Sequence, residues 1–288
     1  MPTTTNNQSC IPQRERLVRW ANYMREQELD AVGKWLLPRA QKRQKLLEIG
    51  GGNGLLAKKL ADMGFVVTSI DPEPQMPLHF PVEKGDSTDL RFEDNSFDVI
   101  FSSCVLEHIS ELDAAFSEMG RVLRKDGIMV HSVPTHYSMI YTMFTQPVGY
   151  LIKIGLIFKY GFKFLAKFFA RPAAATQPQK QTKTTDTAAP SVYSKANLKM
   201  ALTYANPVRF CIPWPHGVAK SCFEEIRNWK PAVWQSKFQQ GGFKIIETIM
   251  LPAAYSMHTV FPYRFMKLRY WLGRKGKGMG CSFLLTKS

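Results

Sequence analysis

The second half of the chain has very few acidic residues. Residues 139–288 hold 22 lysines and arginines against 4 acidic residues, whereas residues 1–138 hold 16 against 19. The net charge of +15 therefore belongs to the later part of the chain. This one-sided distribution predicts that the later segments meet an anionic surface or acceptor.

Cysteine is also scarce, and its spacing excludes several kinds of site. The five cysteines are scattered, and no two of them form a C-x-x-C pair. We therefore expect a reducing compartment and no metal site of the zinc type. The first ten residues, MPTTTNNQSC, contain no apolar run, so the sequence predicts no secretory signal and a cytoplasmic location.

The glycine-rich stretch KLLEIGGGNGLL lacks two common nucleotide-binding signatures. The position three after Gly52 is Leu55, so G-x-G-x-x-G is not satisfied, and no Lys-Ser or Lys-Thr follows, as a P-loop requires. What remains is a short apolar strand, a glycine turn, a helix with apolar spacing and a second strand that ends at Asp71. This order predicts the first βαβ unit of a nucleoside-binding α/β domain.

The pattern Glu48-x-Gly50-x-Gly52-x-Gly54, with an acidic residue at the end of the second strand, resembles the class I S-adenosylmethionine-dependent methyltransferases. The stretches FDVIFS, VLEHI and RVLRKDGIMV continue the resemblance to about residue 135, and they are similar to the subfamily that works mostly on small molecules, including quinone precursors and lipids. The resemblance implies S-adenosylmethionine as the cofactor. It implies these cofactor-binding residues: Glu48, Gly50, Gly52, Gly54, Asp71, Asp86, Ser87 and Ser103.

The three acidic residues and Ser103 have expected roles. Asp71 lies near the spacing at which a carboxylate meets a ribose hydroxyl, and Asp86 stands where the family accepts a hydrogen bond from the adenine amine. Glu48 is expected to be a fixed negative charge near the ammonium and sulfonium ends. Residues 102–104 follow the fourth strand, so we expect them to border the methyl group.

The implied fold is α/β, a Rossmann-like, seven-stranded, mostly parallel sheet with an antiparallel C-terminal strand, plus basic apolar helical insertions. We divide the chain into an N-terminal helical segment (1–43), a cofactor-binding core (44–137), a basic apolar helical insertion (138–171), a disordered linker (172–190) and a C-terminal part of the fold (191–288) that carries a second basic insertion (252–280).

Several element boundaries can also be predicted. Residues 12–37 indicate one helix or two, which either cover the cofactor or pack on the core. Four prolines between 72 and 81 exclude a regular helix and favour a sheet-edge strand after them. Ser110 and Asp113 predict a capping box for a helix that ends at Gly127, and residues 224–240 predict one helix before the sixth strand.

The insertion 138–171 combines lysines with aliphatic and aromatic residues. Lys159, Lys163 and Lys167 recur every four residues, and no acidic residue lies between 138 and 170. The longest charge-free stretch, residues 138–152, has 15 residues, fewer than the roughly 20 that span a bilayer. The pattern predicts an interfacial helix at a membrane surface, with a packed helix and a true span as alternatives. Segment 252–280 repeats the mixture in YRFMKLRYWLGRKGKG.

Methyl transfer from a sulfonium is an in-line displacement, so a base is needed only where the acceptor loses a proton. The candidate bases are His108, His136 and His216, each weighed against an ordinary packing or loop histidine. We predict transfer to an amphipathic small molecule or lipid, such as a quinone precursor, isoprenoid or glycolipid, by a protein peripheral to a membrane.

A catalytically inactive scaffold that docks on membranes or partners is the alternative. RNA or protein methylation and nucleic-acid binding are less favoured, because the basic clusters are too aliphatic for a phosphate groove. In addition, residues 102–105 (SSCV) replace the [DN]-P-P-[YFW] motif of families that methylate exocyclic or amide nitrogens.

Overall fold

The computed structural model describes residues 13–149, 151, 212–251 and 265–288. The chain divides into two units, residues 1–142 with 214–288, and residues 143–213. In the second unit the described residues up to 151 are helical. Most of the insertion 138–171, the linker 172–190 and the first part of 252–280 lie outside the described residues.

A seven-stranded sheet with the order β3-β2-β1-β4-β5-β7-β6 forms the centre of the first unit. Its strands are β1 (Lys45–Ile49), β2 (Val66–Asp71), β3 (Glu83–Lys84), β4 (Phe97–Ser103), β5 (Leu123–Pro134), β6 (Phe243–Met250) and β7 (Gly280–Lys287). Strand β7 runs antiparallel to both of its neighbours, β5 and β6, and the other pairs are parallel. The predicted fold class is confirmed.

The strand order reverses between β1 and β4, because β2 follows β1 on one side and β4 pairs with β1 on the other. In open parallel sheets, ligands bind beyond the carboxyl ends of the strands at such a reversal. The fold therefore places the glycine turn after β1 at the expected binding edge.

Seven helices are described. They are α1 (Gln13–Ala40), α2 (Leu55–Asp62), α3 (Leu112–Val122), α4 (136–149), α5 (Cys222–Asn228), α6 (Pro231–Gln240) and α7 (Met266–Leu272), and a short 3₁₀ turn covers Leu106–His108. None of the helices in the described ranges is long and apolar enough to span a bilayer.

Helix α1 is continuous, and its second half packs on the sheet. Leu36 and Val32 are fully buried against side chains of β4 and β5, including Phe101 and Val130. Burying one such aliphatic side chain contributes about 1.5–3 kcal/mol. The first half of α1 meets α7, where the hydroxyl groups of Tyr23 and Tyr270 are 2.7 Å apart.

The connection between β2 and β3, residues 72–82, contains no helix, as the prolines predict. It folds back on the glycine turn instead. The N–H of Gln75 donates to the carbonyl of Gly52 at 2.9 Å, and the N–H of His79 donates to that of Asn53 at 2.8 Å. Strand β3 is two residues long and forms the sheet edge, also as predicted.

The predicted boundaries of α3 were wrong at both ends. The helix begins at Leu112 with Glu111 as its N-cap, and no side chain caps it, so Ser110 and Asp113 form no capping box. It ends at Val122 because Leu123 already pairs with Phe97 in the sheet. Gly127 therefore lies within β5, next to a shift in strand register.

Residues 224–240 form two helices where one was predicted. Helix α5 ends at Asn228 and α6 begins at Pro231, which has no N–H to continue a helix. The break between them places Trp229 beside the carboxyl ends of the strands, where its carbonyl accepts the N–H of His136 at 3.0 Å.

Candidate active site

The turn after β1 requires its glycines. Gly50, Gly52 and Gly54 have φ values of 77°, 55° and 74°, in the left-handed region that side chains disfavour. A Cβ on Gly54 would also lie 2.5 Å from the carbonyl oxygen of Phe80. At Gly52 a Cβ would meet nothing within 4 Å, so this part of the turn has space for a ligand. At Gly54 the 72–82 loop packs directly against the turn and leaves no such space.

Asp71 ends β2 beside this turn. Its Oδ2 accepts the N–H of Gly52 at 2.8 Å, and its Oδ1 accepts the N–H of Glu73 at 2.8 Å. The two hydrogen bonds fix the carboxylate at the carboxyl end of β2. The structure therefore brings the predicted ribose-binding side chain into contact with the glycine turn.

Glu48 lies beneath the turn and is 1% exposed. Ser69 Oγ donates to its Oε2 at 2.5 Å, and a Cβ on Gly51 would be 3.0 Å from the same Oε2. Burial raises the pKa of this carboxyl to about 7, although the Ser69 hydrogen bond and the charge of Arg25 oppose the rise. Glu48 is therefore part protonated near neutral pH, whereas the sequence predicted a fixed charge.

A cavity of about 310 Å³ opens next to the turn. Its wall includes Gly50, Asp86, Ser87, Val105 and His108. Asp86 is exposed, and its Oδ1 accepts both the N–H and the hydroxyl of Thr88 at 2.9 Å. Three predicted cofactor residues thus line one cavity.

Ser103, at the end of β4, is bound by α1. Its Oγ donates to Glu28 Oε2 at 2.8 Å, and Arg25 Nη1 contacts both groups. Glu28 is 4% exposed, so α1 carries a buried carboxylate to the end of β4. Helix α1 therefore both packs on the core and reaches the ligand-binding edge.

Ser102, the residue before it, points away from that edge. Its Oγ is 2.7 Å from Nδ1 of His131, and both side chains are fully buried. The prediction that Ser102 borders the methyl group was wrong, because alternate residues of a strand face opposite sides of the sheet.

Two of the three candidate bases meet after β4. The ring centroids of His108 and His216 are 4.7 Å apart, and Nε2 of His108 is 3.9 Å from Oε1 of Glu107. Glu107 is buried, and burial raises its pKa to about 8. We call these three residues the Glu107 cluster.

His136 lies apart from the Glu107 cluster, at the start of α4. Its ring packs on Tyr137 with centroids 4.1 Å apart. Burial and the charge of Lys230 lower its pKa. His136 is therefore neutral near pH 7. Trp229 stands between His136 and His216: its carbonyl accepts the N–H of His136, and its indole contacts the His216 ring.

A second cavity, of about 530 Å³, lies beyond the 3₁₀ turn. Its wall includes Glu107, Trp229, Trp234 and Lys237, and it shares residues 109–111 with the first cavity. His108 lines the first cavity and Glu107 the second. Glu107 and His108 therefore stand where the two cavities meet, and the His216 ring packs on that of His108.

The sheet order, the glycine turn and the acidic ends of β1 and β2 define a class I methyltransferase domain, whose cofactor is S-adenosylmethionine. Residues 47–131 match the family described as methyltransferase domain. The cavity beside the turn offers the cofactor the Asp86 carboxylate and apolar walls, and the Asp71 carboxylate lies against the turn itself, so the residues present fit the cofactor.

Curated relatives agree with this assignment. A ubiquinone biosynthesis O-methyltransferase of Paramagnetospirillum magneticum is 35% identical over 95 residues, covering 30% of this chain and 38% of its own length. An uncharacterized methyltransferase of Mycobacterium avium is 34% identical over 113 residues, covering 36% of this chain and 42% of its own length. The matches span about two fifths of the curated relatives' own length.

Among solved structures, a methyltransferase of Thermotoga maritima described as a possible histamine N-methyltransferase is 16% identical, covers 96% of both chains and has a TM-score of 0.46. The PH0226 protein of Pyrococcus horikoshii is 25% identical over 40% of this chain and 59% of its own, with a TM-score of 0.34.

Three site residues were missed by sequence reasoning. Glu28 shares one helix face with Val32 and Leu36, which are buried, and that spacing could have indicated a buried carboxylate. Glu107 is the lone acidic residue of the apolar stretch VLEHI, directly after a buried strand. Glu225 gave no such signal, because its role depends on the contact between α5 and the loop at His216.

Proposed function

We propose that the whole chain transfers a methyl group from S-adenosylmethionine to an amphipathic small molecule or lipid at a membrane surface. The observation that carries this proposal is the pair of adjoining cavities, one beside the glycine turn and one lined by two indole rings, that share residues 109–111. A donor in one and an acceptor in the other would meet beside the Glu107 cluster.

The first cavity and its edge would hold the cofactor. Asp71 would meet the ribose, Asp86 and Ser87 the adenine, and the open glycine turn the amino acid part. The cofactor supplies an electrophilic methyl group. Glu48, directly under Gly51, supplies negative charge to the cationic end when it is ionised.

The second cavity would hold the acceptor. Trp229 and Trp234 are 4% and 1% exposed and form the rigid apolar part of its wall, and Asp113, Glu224 and Lys237 add charged groups. This mixed wall would suit the planar polar head of an amphipathic molecule. The printed name of the Paramagnetospirillum relative, an O-methyltransferase of ubiquinone biosynthesis, is consistent with an acceptor of this kind. Alignment of donor and acceptor would supply much of the rate.

Three candidate groups can accept a proton from a hydroxyl acceptor. His108 lies at the junction of the cavities, and the His216 ring packs on it. Burial lowers the pKa of His108, so it is neutral at pH 7. His136 stands behind Trp229. We propose that His108 or His216 acts as the base and that His136 acts only if the acceptor reaches past Trp229.

Helix α7 supports the proposed membrane contact through segment 252–280. Phe265, Leu268 and Trp271 recur every three residues and are 63%, 52% and 49% exposed. The side chains of Lys267, Arg274, Lys275 and Lys277 are exposed beside them, and residues 248–288 contain no acidic residue. Rings with cations around them suit the boundary between acyl chains and anionic headgroups.

The insertion 138–171 would add a second contact with the same surface, on the evidence of its lysine spacing alone. We propose that these two contacts hold the protein at the cytoplasmic face of a membrane. An acceptor with an apolar tail would then reach the second cavity from the lipid phase.

Turnover tests this proposal. Purified chain is incubated with S-adenosylmethionine and a membrane lipid extract, and S-adenosylhomocysteine is measured by mass spectrometry. We expect S-adenosylhomocysteine to accumulate together with a lipid-extract component heavier by one methylene. Cofactor binding without any turnover on lipid or small-molecule extracts would support the inactive scaffold instead.

Membrane contact is tested by sedimentation with vesicles of phosphatidylcholine and phosphatidylserine. Changing Lys267, Arg274, Lys275 and Lys277 to Glu should reduce co-sedimentation sharply and leave only what the contact through 138–171 supports. The control variant changes four exposed lysines elsewhere to Glu: Lys42, Lys84, Lys125 and Lys244. It alters the net charge equally and should keep most of the co-sedimentation. Equal loss in both variants would contradict a specific contact through α7.

A further inference from the structure

We propose that Glu107, His108 and His216 form a binding site for a divalent transition metal ion. The proposal holds whether or not the chain transfers methyl groups, since it concerns the affinity of these side chains for a cation. The scattered cysteines predicted that the chain has no metal site. That prediction considered only cysteine ligands, whereas the proposed site uses two histidines and a glutamate.

The geometry of the cluster suits a metal ion. One ligand atom from each residue can be chosen so that all three lie within 4.8 Å of one another. Two ligands bound tetrahedrally at about 2.1 Å from zinc are roughly 3.4 Å apart. The separation of 3.9 Å between Nε2 of His108 and Oε1 of Glu107 is close to that value. Small side-chain rotations would complete the site.

The Glu107 carboxyl supplies an independent observation. Its side chain is 1% exposed, and neither oxygen has a hydrogen-bond partner among the described residues. Buried carboxyl groups are normally hydrogen-bonded or bound to a cation, because burial without a partner costs several kcal/mol. Oε1 points at His108, so a cation bound between them would remove this cost.

His216 is brought to the cluster by a braced loop. Oε1 of Glu225 accepts the N–H groups of His216, at 2.5 Å, and of Gly217, at 2.7 Å. The N–H of Val218 donates to the carbonyl of Glu107 at 3.0 Å. A Cβ on Gly217 would lie 2.3 Å from that carbonyl, so the approach requires glycine. The loop is therefore fixed against the 3₁₀ turn, as a preorganised ligand requires.

The donor set indicates the kind of metal. Two imidazoles and one carboxylate bind zinc in catalytic sites and ferrous iron in open sites, and both arrangements leave coordination positions free. Both histidines are exposed, and Glu107 and His108 lie where the two cavities meet. A free position would then face an acceptor oxygen or nitrogen, and the metal would orient that atom and favour its deprotonated form.

Cobalt(II) is the probe, because its visible absorption changes when it exchanges water for imidazole and carboxylate. Bound metal is first removed with a chelator under conditions that keep the protein folded, and the protein is then titrated with cobalt chloride. We expect a saturable visible band with one equivalent bound, and we expect zinc chloride to displace it. Absence of a saturable band in the wild-type protein would overturn the proposal.

The variants separate a ligand role from a structural one. His216→Gln and His108→Gln each remove one ligand and should weaken cobalt affinity at least about tenfold. His79→Gln, at an exposed histidine of the 72–82 loop, is the matched control and should bind as the wild type does. Circular dichroism confirms folding of each variant, and Glu107→Gln serves as a third ligand variant where it folds.

Unchanged cobalt affinity in folded His216→Gln and His108→Gln would contradict the site even if the wild type binds cobalt. Calorimetry with S-adenosylmethionine on the same samples is a separate readout. Variants that lose cobalt binding and keep cofactor binding would support the metal site. Variants that keep cobalt binding and lose cofactor binding would count against the metal site without affecting the cofactor assignment.

Discussion

Gly50 and Val105 approach so closely that a Cβ on Gly50 would lie 2.2 Å from Cγ2 of Val105. Both residues line the cavity beside the glycine turn. Valine is stiff at its first side-chain torsion, so a Cβ on Gly50 would have to displace the Val105 side chain. This contact couples the cofactor cavity to the loop that carries the Glu107 cluster.

Gly50→Ala should therefore weaken cofactor binding as well as stability. Adding a Cβ at φ 77° costs about 1–2 kcal/mol, and overpacking against Val105 adds roughly 1–3 kcal/mol. Gly242→Ala is the matched control, since its φ is 81° and a Cβ there meets nothing within 4 Å. Urea unfolding and calorimetry should show the larger loss at Gly50, and equal losses would contradict the contact.

Asp71→Asn should weaken S-adenosylmethionine binding on the order of tenfold or more, because the amide cannot accept from both the Gly52 N–H and a ribose hydroxyl as a carboxylate does. Stability should fall by only about 1 kcal/mol. Asp62→Asn, at an exposed aspartate of α2, is the control. Calorimetry measures the two affinities, and an unaltered affinity in Asp71→Asn would argue against the ribose role.

The pKa of Glu48 gives cofactor binding a pH dependence. Burial raises this pKa to about 7, so below pH 7 the carboxyl is protonated in the free protein, and a cationic ligand must displace that proton. The affinity should fall by up to about tenfold for each pH unit below 7 and level off above it. Glu48→Gln should flatten the profile, which calorimetry from pH 5.5 to 8.5 would measure. If the affinity of the wild type changed with pH in the same way as that of Glu48→Gln, ionisation of Glu48 would not be the cause of the pH dependence.

His131 makes the fold sensitive to acid. Burial lowers its pKa from 6.5 to about 3, so the folded protein holds it neutral while the unfolded chain binds a proton below pH 6.5. Stability from this group is complete above pH 6.5 and is lost as the pH falls, by up to about 1.4 kcal/mol per pH unit. His131→Phe should show a shallower decline between pH 6.5 and 4.5 in urea unfolding, whereas His79→Phe should not. Equal slopes in all three proteins would contradict this account.

The fold could be predicted from sequence where local pattern and sheet position agree. The glycine turn is specified by backbone conformations that only glycine adopts readily, and the prolines of 72–82 exclude a helix by removing donors. The limits of α3 could not be predicted, because Leu123 pairs with Phe97 from a distant part of the sequence and ends the helix before Gly127.

The positions of the proposed cofactor residues could be predicted from sequence, and the rest of the candidate site could not. Asp71, Asp86 and Gly50 lie at strand ends whose order follows from the motif. The contact of His108 with His216 depends on Glu225 holding a loop more than a hundred residues away, and no local spacing encodes it. Glu28 reaches Ser103 only because α1 lies across the sheet.

The edge formed by the glycine turn, Asp71 and Asp86 is the proposed site for S-adenosylmethionine, and every other proposed role depends on it. Titration calorimetry of the purified chain with that molecule tests this site directly. We expect saturable binding of one equivalent that is strongly weakened in Asp71→Ala. No measurable binding, or binding that Asp71→Ala leaves unchanged, would contradict it.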